Sequence, residues 1–396
     1  MIGEAAARDR ESRRRAPEAA RPQPPRLADL SRGLRCRLDE IRARAASHVA
    51  DFLPRAGGSE AIDSFAGPAH WSHHGDVYEP MISAPAWSLL GRESKRWRGT
   101  LAILMLETFG ERERRFEAVL AVIAEFIHTA SLIVDDIEDG SLLRRGEPAV
   151  HKMFGIDVAL NAANAMYFLP LQTIARDPHL TVAQREELYR VLIDYFVRGH
   201  FGQANDIYFS NAMSPERLAD WLSQDVASDI LQMYAGKTAC WPMGLTEAAA
   251  IMAGAPATLR TAGVAFAREL GVAFQIMDDV LGVGGMPGKT KTPGEDIAAG
   301  KLTYLTHQAL VRLRGSEKRR LLQIIGDRLA ADDDAILEEG IGLIERSGAV
   351  AACRAEAWER FVKAWADMER ALPPTPSRTL VGALCADLVA GVAPAS

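Results

Sequence analysis

The chain has 396 residues, of which 48% are hydrophobic and 25% are charged, a balance that can fill a large core. Its 46 Lys and Arg against 52 Asp and Glu give a formal net charge of −6, which argues against a nucleic acid as the main partner. Its four cysteines form no C-x-x-C pair, which argues against a disulfide framework, a zinc ribbon or a redox motif.

The N-terminal part of the chain predicts a tail, a helix and a linker. Residues 1–26 are rich in Arg, Ala, Glu and Pro and carry few large apolar side chains, which predicts a disordered tail. Residues 27–75 predict one amphipathic helix, Leu27 to Leu53, and a linker. We find no signal-peptide pattern and no apolar run of about 18 residues, so we expect a cytoplasmic protein without stable membrane insertion.

The rest of the chain, residues 76–396, predicts one α-helical domain. Apolar residues recur at helical intervals between Gly and Pro breaks, and alternating β-branched strands are missing. We therefore predict an all-α protein. The main predicted helices are Leu101–Phe109, Phe116–Val134, Asp157–Ala175, Ala183–Gln203, Pro215–Met233, Ala257–Leu281 and Leu302–Leu313.

Acidic residues end two of the most apolar predicted helices. Four acids fall within residues 135–139, and a further pair lies 143 residues later in the chain. Like charges so close together destabilise a helix end unless a cation lies between them. Mg²⁺ prefers oxygen ligands and binds through carboxylates together with substrate phosphates. The candidate metal ligands are Asp135, Asp136, Asp139, Asp278 and Asp279.

Basic residues accompany both acidic stretches. Arginine and lysine at this density indicate a polyanionic substrate such as a diphosphate. We find neither a P-loop nor a G-x-G-x-x-G turn, so the usual nucleotide-binding loops have no support. The basic runs include Lys95 to Arg98, Arg144, Arg145, Lys237, Lys289, Lys291 and Lys301.

Five segments, in their order along the chain, resemble motifs of the trans-isoprenyl diphosphate synthases, also called polyprenyl synthetases. HTASLIVDDIEDGSLLRRG (His128–Gly146) is similar to their first aspartate-rich motif. The segment from Phe274 to Tyr304, which contains FQIMDDVLG and KTPGEDIAAGKLTY, is similar to their second. SKRWR (Ser94–Arg98), FGQANDIY (Phe201–Tyr208) and GKT (Gly236–Thr238) support the match. The resemblance implies a large helical bundle around a central cavity, with residues 76–396 as the catalytic domain.

The resemblance also implies substrates and residue roles. The substrates would be isopentenyl diphosphate and an allylic diphosphate, the cofactor Mg²⁺, and the assembly a homodimer. Residues implied to bind isopentenyl diphosphate are Lys95, Arg98, His128 and Arg145. Residues implied to hold the allylic diphosphate, directly or through magnesium, are Asp135, Asp139, Asp278, Arg144, Lys237, Lys291 and Lys301. Thr238 and Gln275 would direct their dipoles at the allylic carbon as positive charge develops there.

The resemblance implies that product length depends on which residues block a tunnel beneath the first aspartate-rich motif. Ala130 and Ser131, just before Asp135, are small, so growth would continue to a later floor, for which we consider the segment Met166, Tyr167, Phe168. The motif sequence DDIEDGSLLRRG most resembles that of geranylgeranyl diphosphate synthases, and we predict a C20 product.

The chain departs from the family pattern at three places. Gly282 stands where many members have a third aspartate, Glu93 and Ser94 replace glycines, and Gly99 replaces a proline. Two alternatives stay open at this point. One is a class I terpene cyclase, although VLGVGGMPG after Asp279 lacks the acid and hydroxyl of its second metal motif. The other is a non-catalytic subunit of a prenyl synthase, which predicts eroded acids.

Overall fold

The computed structural model describes residues 23–92, 96–211, 214–284 and 293–391. These residues form an all-α bundle, and the predicted fold class is confirmed. The α-helices are α1 Arg32–Phe52, α2 Ser59–Ala66, α3 Ala84–Leu90, α4 Trp97–Thr108, α5 Glu117–Glu138, α6 Val150–Phe154, α7 Ile156–Phe168, α8 Leu171–Arg176, α9 Val182–Asn211, α10 Pro215–Trp221, α11 Val226–Tyr234, α12 Cys240–Met252, α13 Ala257–Gly284, α14 Glu295–Ala298, α15 Tyr304–Arg312, α16 Gly315–Gly326, α17 Asp334–Arg346, α18 Ala349–Ala371 and α19 Pro376–Val389.

Short elements of other types connect these helices. Leu27–Asp29 and Gly75–Val77 are 3₁₀ turns, and Glu79–Ser83 and Ala235–Ala239 are π-helical. Strands β1 (Leu143–Arg144) and β2 (Glu147–Pro148) form an antiparallel hairpin that the sequence analysis did not predict. Its turn has positive φ at Arg145 (53°) and Gly146 (79°). Periodicity misses a hairpin this short because two-residue strands show no alternation.

Two predicted helices are each split in the structure. The predicted helix Asp157–Ala175 divides into α7 and α8 at Pro170, which lacks the amide proton needed to continue a helix. The predicted helix Pro215–Met233 divides into α10 and α11, and the backbone of Asp225 leaves the helical region with ψ 57°. Apolar spacing continues across both breaks, so periodicity alone did not reveal them.

Residues 23–26, predicted to belong to a disordered tail, are described by the structure and contact the bundle through Arg26. Residues 1–22 lie outside the described residues, but the Arg26 side chain forms an ion pair with Asp387 of α19. The guanidinium of Arg26 also lies 5.7 Å from the ring centroid of Trp358. These long-range contacts hold residues 23–26 against the bundle, and tail composition gives no indication of them.

Helix α5 runs through the core, in contact with α1, α4 and α7, and ends at the first acidic motif. It is the one helix among the described residues that is long and apolar enough to cross a bilayer by length and composition. However, 72% of the most apolar 18-residue stretch of this helix is buried inside the bundle. Its apolar character therefore matches its place in the core.

Glycines let three elements approach one another at backbone distance. A Cβ atom at Gly202 of α9 would lie 2.2 Å from the amide nitrogen of Lys237 in the π-helical segment. A Cβ at Gly271 of α13 would lie 2.4 Å from the Cα of Ala239. Only glycine allows such approach. This packing brings α9, the π-helical segment and α13 around one cavity.

We predict that the pair Arg44–Glu117 makes stability depend on acid pH. Arg44 contacts the buried Glu117 carboxylate through Nε at 2.8 Å and Nη2 at 3.0 Å, which ties α1 to α5. Burial opposes ionisation, but hydrogen bonds from His48 and Arg44 outweigh it and lower the pKa of Glu117 from 4.5 to about 2. A lowered carboxyl pKa stabilises the fold above the unfolded pKa, and this stabilisation is lost as pH falls through the folded pKa.

Glu117→Gln is therefore expected to remove about 3 kcal/mol of this pH-dependent stability. Denaturant unfolding at a series of pH values between about 5 and 2 measures it. The wild type should lose more stability over that window than the variant, while the exposed Glu60→Gln should follow the wild type. Parallel pH profiles for wild type and Glu117→Gln would contradict the prediction.

Candidate active site

One cavity of about 370 Å³ lies at the C-terminal end of α5. Its walls come from α5, α9, the π-helical segment, the C-terminal half of α13 and residues 295–303. Both acidic stretches reach it, although they are far apart in the chain. The predicted site residues that line it are Arg98, His128, Asp135, Asp139, Arg144, Lys237, Thr238, Gln275, Asp278, Asp279 and Lys301.

Four predicted site residues are not placed in this cavity. Lys95 and Lys291 lie outside the described residues. Asp136 is fully buried and paired with Arg144, which contacts it through Nε at 2.8 Å, so its carboxylate holds an arginine instead of facing the cavity. The guanidinium of Arg145 donates to the carbonyl oxygen of Leu89 at 3.3 Å. Neither Asp136 nor Arg145 is among the described residues that line the cavity.

The adjacent acids of α5 point in different directions because successive side chains of a helix are about 100° apart around its axis. Asp135 and Asp139 therefore share a helical face that Asp136 does not. The structure thus corrects the assignment of Asp136 as a metal ligand: its Oδ1 positions Arg144 at the cavity. Asp279 is a similar case, since it borders the cavity but is only 4% exposed and is hydrogen-bonded within the wall.

Two lysines bridge the carboxylates of the cavity. The Nζ atom of Lys237 lies 2.9 Å from Asp135 Oδ1 and 2.6 Å from Asp206 Oδ2. The Nζ atom of Lys301 lies 2.7 Å from Asp139 Oδ2 and 3.9 Å from Asp206 Oδ2. Cations from two distant segments therefore neutralise acids from α5 and α9, and the network holds these elements in register.

This network sets the charge states in the cavity. Burial opposes ionisation of Asp135, but the charges of Lys237 and Lys301 outweigh it and lower the Asp135 pKa well below its usual range. Burial likewise opposes the charge of Lys237, but Asp135 and Asp206 raise its pKa above the usual value. Burial and the neighbouring Asp135 raise the pKa of Asp139. The cavity thus holds ionised Asp135 and protonated Lys237 at neutral pH.

Arg98 and His128 form a second, cationic part of the wall. Nη1 of Arg98 lies 3.0 Å from Nε2 of His128. A guanidinium can only donate, so His128 accepts at Nε2 and its neutral ring carries the proton on Nδ1. Burial, then the charge of Arg98, lowers the His128 pKa well below its usual value. Burial lowers the Arg98 pKa to about 10, so this guanidinium stays charged at neutral pH.

A chain of hydrogen bonds orients the neutral dipoles of the cavity. The Thr238 hydroxyl donates to Gln275 Oε1 at 2.6 Å, and the Gln275 amide donates to Asp279 Oδ1 at 3.1 Å. The Tyr234 hydroxyl also donates to Asp279 and accepts from the Tyr304 amide at 2.8 Å. Asp279 therefore fixes Gln275 so that its carbonyl oxygen meets Thr238 at the cavity wall.

Gln203 and Asp206 of α9 also line the cavity, and neither was predicted as a site residue. The Gln203 amide donates to Asp135 Oδ1 at 3.1 Å and to Glu138 Oε2 at 2.6 Å. Both residues belong to FGQANDIY, and their i, i+3 spacing places them on one helical face. That spacing was the available signal, but a single segment could not reveal its partners on other elements.

The predicted floor of the product tunnel is only partly placed at the cavity. Ser131 and Tyr167 line it. Ala130 and Met166 are fully buried in the neighbouring core cluster and are not among the described lining residues. Phe168 is 67% exposed, so it cannot close a buried tunnel within this chain.

The carboxylates suit a divalent cation bound together with a substrate. Among the residues that the structure describes, no three His, Cys, Asp or Glu side chains form a ready-made metal cluster. Asp135, Asp139 and Asp278 nevertheless supply hard oxygen ligands to a single cavity. This donor set fits Mg²⁺, which usually binds through one or two carboxylates, waters and substrate phosphates.

A carboxylate lies close to Gly282, the residue that stands where many family members have a third aspartate in the second motif. A Cβ atom at Gly282 would lie 3.7 Å from Oδ2 of Asp296, which lines the cavity. The cavity therefore keeps a carboxylate close to that position, contributed by α14.

Comparison with known proteins identifies the family of this chain. The polyprenyl synthetase family profile matches residues 79–339. A short chain isoprenyl diphosphate synthase of Methanothermobacter thermautotrophicus is 33% identical over 276 residues, covering 69% of this chain and 79% of that protein. A geranylfarnesyl diphosphate synthase of Aeropyrum pernix is 31% identical over 273 residues, covering 68% and 81%.

The fold is also that of a solved family structure. A geranylgeranyl pyrophosphate synthase of Corynebacterium glutamicum, solved with isoprenyl diphosphate and magnesium, superimposes with a TM-score of 0.74. The two are 21% identical, and the match covers 89% of this chain and 99% of that one. On the extent of the profile match and of the sequence similarity, this chain belongs to the polyprenyl synthetase family of trans-isoprenyl diphosphate synthases.

Proposed function

We propose that the protein is a magnesium-dependent prenyltransferase that condenses isopentenyl diphosphate with an allylic diphosphate to give a longer all-trans prenyl diphosphate. The observation that carries the proposal is the single cavity in which Asp135, Asp139 and Asp278 meet Lys237 and Lys301. Acids and cations together suit a metal-bound diphosphate, and family membership supports the same chemistry.

Asp135, Asp139 and Asp278 would hold the magnesium ions. When bound, magnesium supplies Lewis-acid stabilisation of the negative charge on the leaving diphosphate. Lys237 and Lys301, which pair with these acids in the structure, would turn their ammonium groups to diphosphate oxygens once the acids hold metal ions. Arg144, which Asp136 holds at the cavity, would bind the same oxygens.

The reaction breaks the allylic C–O bond, and the bonding electrons leave with the diphosphate. The π-bond of isopentenyl diphosphate then attacks the allylic cation, a C–C bond forms, and loss of one proton gives the new allylic diphosphate. Arg98, hydrogen-bonded to neutral His128, would bind the diphosphate of the attacking substrate. The oxygens of Thr238 and Gln275 would stabilise the cation, since their dipoles are already oriented.

The apolar part of the cavity wall keeps the reaction dry. Leu132, Met233, Trp241 and Phe274 contribute apolar surface to the cavity. Water would capture the allylic cation, so apolar walls, which offer water no hydrogen-bond partners, favour attack by the second substrate. For the product we propose geranylgeranyl diphosphate, C20, as the resemblance of DDIEDGSLLRRG to synthases of that product suggests.

Incubation with magnesium, isopentenyl diphosphate and allylic diphosphates of five, ten or fifteen carbons tests the proposal. Elongation that ends at C20 supports it, and chelation of magnesium by EDTA should abolish turnover until excess Mg²⁺ is added. Hydrocarbon formed without isopentenyl diphosphate would indicate a terpene cyclase instead. Inertness with all three starters would indicate a non-catalytic subunit.

We further propose a cytoplasmic homodimer. One face of α9 exposes an apolar row at helical spacing, Ile193, Val197 and Phe201, with exposed fractions of 55%, 51% and 70%. Single exposed apolar residues are ordinary on a protein surface, but a continuous row marks a contact surface. A second copy of the chain would cover this row.

The dimer is tested by placing a charge on that row. Phe201→Glu is expected to shift the protein from twice the chain mass of 43.1 kDa to the monomer, as measured by sedimentation velocity. A buried unpaired carboxylate at an interface weakens association strongly. Val182→Glu, at an equally exposed apolar residue near the other end of α9, serves as the control and should leave the mass unchanged. A Phe201→Glu variant that keeps the wild-type mass would exclude this face.

A further inference from the structure

A small apolar pocket lies directly behind the active-site cavity. It has a volume of about 10 Å³, which is room for about one water molecule. Its walls come from α5, α9 and α12, and include Ala124, Ile127, Leu192 and Leu245. Of the residues that the structure describes around the two spaces, His128 and Trp241 line both. These two side chains therefore form the partition between them.

The indole of Trp241 fills its place tightly. A Cβ atom at Gly199 of α9 would lie 2.8 Å from Cζ2 of the indole, so a larger residue there would displace it. On the same helix, Phe196 has its ring centroid 6.0 Å from that of Trp241. The other partition residue, His128, is tied to Arg98 at the diphosphate-binding wall. Trp241 is thus the apolar part of the partition.

We propose that Trp241 sets the length of the product by closing the reaction cavity from the apolar pocket. This inference rests on the proposed prenyltransferase function and names the residue that limits it. Each cycle adds five carbons, and the growing chain needs dry apolar volume that no other group occupies. While the indole is in place, the pocket behind it is too small for a further isoprene unit. Without the indole, the two spaces join into one.

Product length in Trp241→Ala tests this role. Wild type and variant receive magnesium, farnesyl diphosphate and labelled isopentenyl diphosphate, and the products are separated by chromatography. The variant's main product is expected to be longer than that of the wild type by at least one isoprene unit. Trp221→Ala removes the same side chain from an aromatic cluster with Phe209, away from both spaces, and should leave the product unchanged.

A second pair of variants separates volume from general damage. Trp241→Phe keeps an aromatic ring in the partition and should lengthen the product less than Trp241→Ala does. Adding Ala124→Leu to Trp241→Ala refills the pocket from α5 and should return the product to the wild-type length. An unchanged or shorter product in both Trp241 variants overturns the proposal. Failure of the wild type to elongate any starter would instead overturn the prenyltransferase function itself.

Discussion

Replacing Asp135 with Asn is expected to lower turnover about a thousandfold, roughly 4 kcal/mol in the activation free energy, while the fold survives. Asp135 is held ionised by Lys237 and Lys301, which lower its pKa despite its burial. Asn keeps the shape and can still accept the hydrogen bond from Gln203, but it carries no charge for a metal ion. The variant therefore loses metal binding and keeps its packing.

Three measurements check this prediction together. The turnover rate should fall, the magnesium concentration for half-maximal rate should rise, and thermal unfolding should stay close to that of the wild type. Asp220→Asn changes an exposed carboxylate on α10 and serves as the control, with all three values unchanged. Wild-type turnover and magnesium dependence in Asp135→Asn would remove Asp135 from the metal site.

Lys237→Gln is expected to reduce turnover about a hundredfold and also to destabilise the protein. Its ammonium group lies within 3 Å of both Asp135 and Asp206, and those acids raise its pKa. Without this cation, each of the two carboxylates loses its shortest ion pair: Asp206 keeps Lys301 at 3.9 Å, and Asp135 keeps Arg144 at 3.6 Å. Weakening the pairing of two largely buried charges is costly. The diphosphate would also lose a positive charge.

A double variant separates these two effects. Adding Asp206→Asn removes one of the two carboxylates, so Lys237→Gln/Asp206→Asn should recover most of the lost thermal stability. It should not recover turnover, because the cation is still missing. Lys363→Gln, an exposed lysine of α18, is the matched control for loss of a lysine. Recovery of turnover in the double variant would show that Lys237 acts only by holding the fold.

Much of the site could be predicted from local sequence. The i, i+4 spacing of Asp135 and Asp139 after an apolar run placed both acids on one helical face at the end of a core helix. This prediction succeeds because helix periodicity depends on residues only a few positions apart. The family resemblance, and not periodicity, associated GKT with the same site, and Lys237 and Thr238 do line the cavity.

Contacts between distant segments could not be predicted in the same way. Nothing near Asp206 in the chain indicates that Lys237 and Lys301 both reach it. Tyr167 and Phe168 are adjacent and both aromatic, yet one lines the cavity and the other faces outward. Which of two neighbours turns inward depends on how α7 packs against α5 and α9, a property of the assembled bundle.

The sequence by itself determined the all-α class and the helix ends that carry acids, and the cations near them predicted a polyanionic substrate. Only the tertiary structure decided that Asp136 holds Arg144, that Asp279 orients Gln275, and that Trp241 separates the cavity from an apolar pocket. The physical reason is one of range. Helix formation and side-chain chemistry are set by near neighbours, whereas burial and pairing are set by residues that only folding brings together.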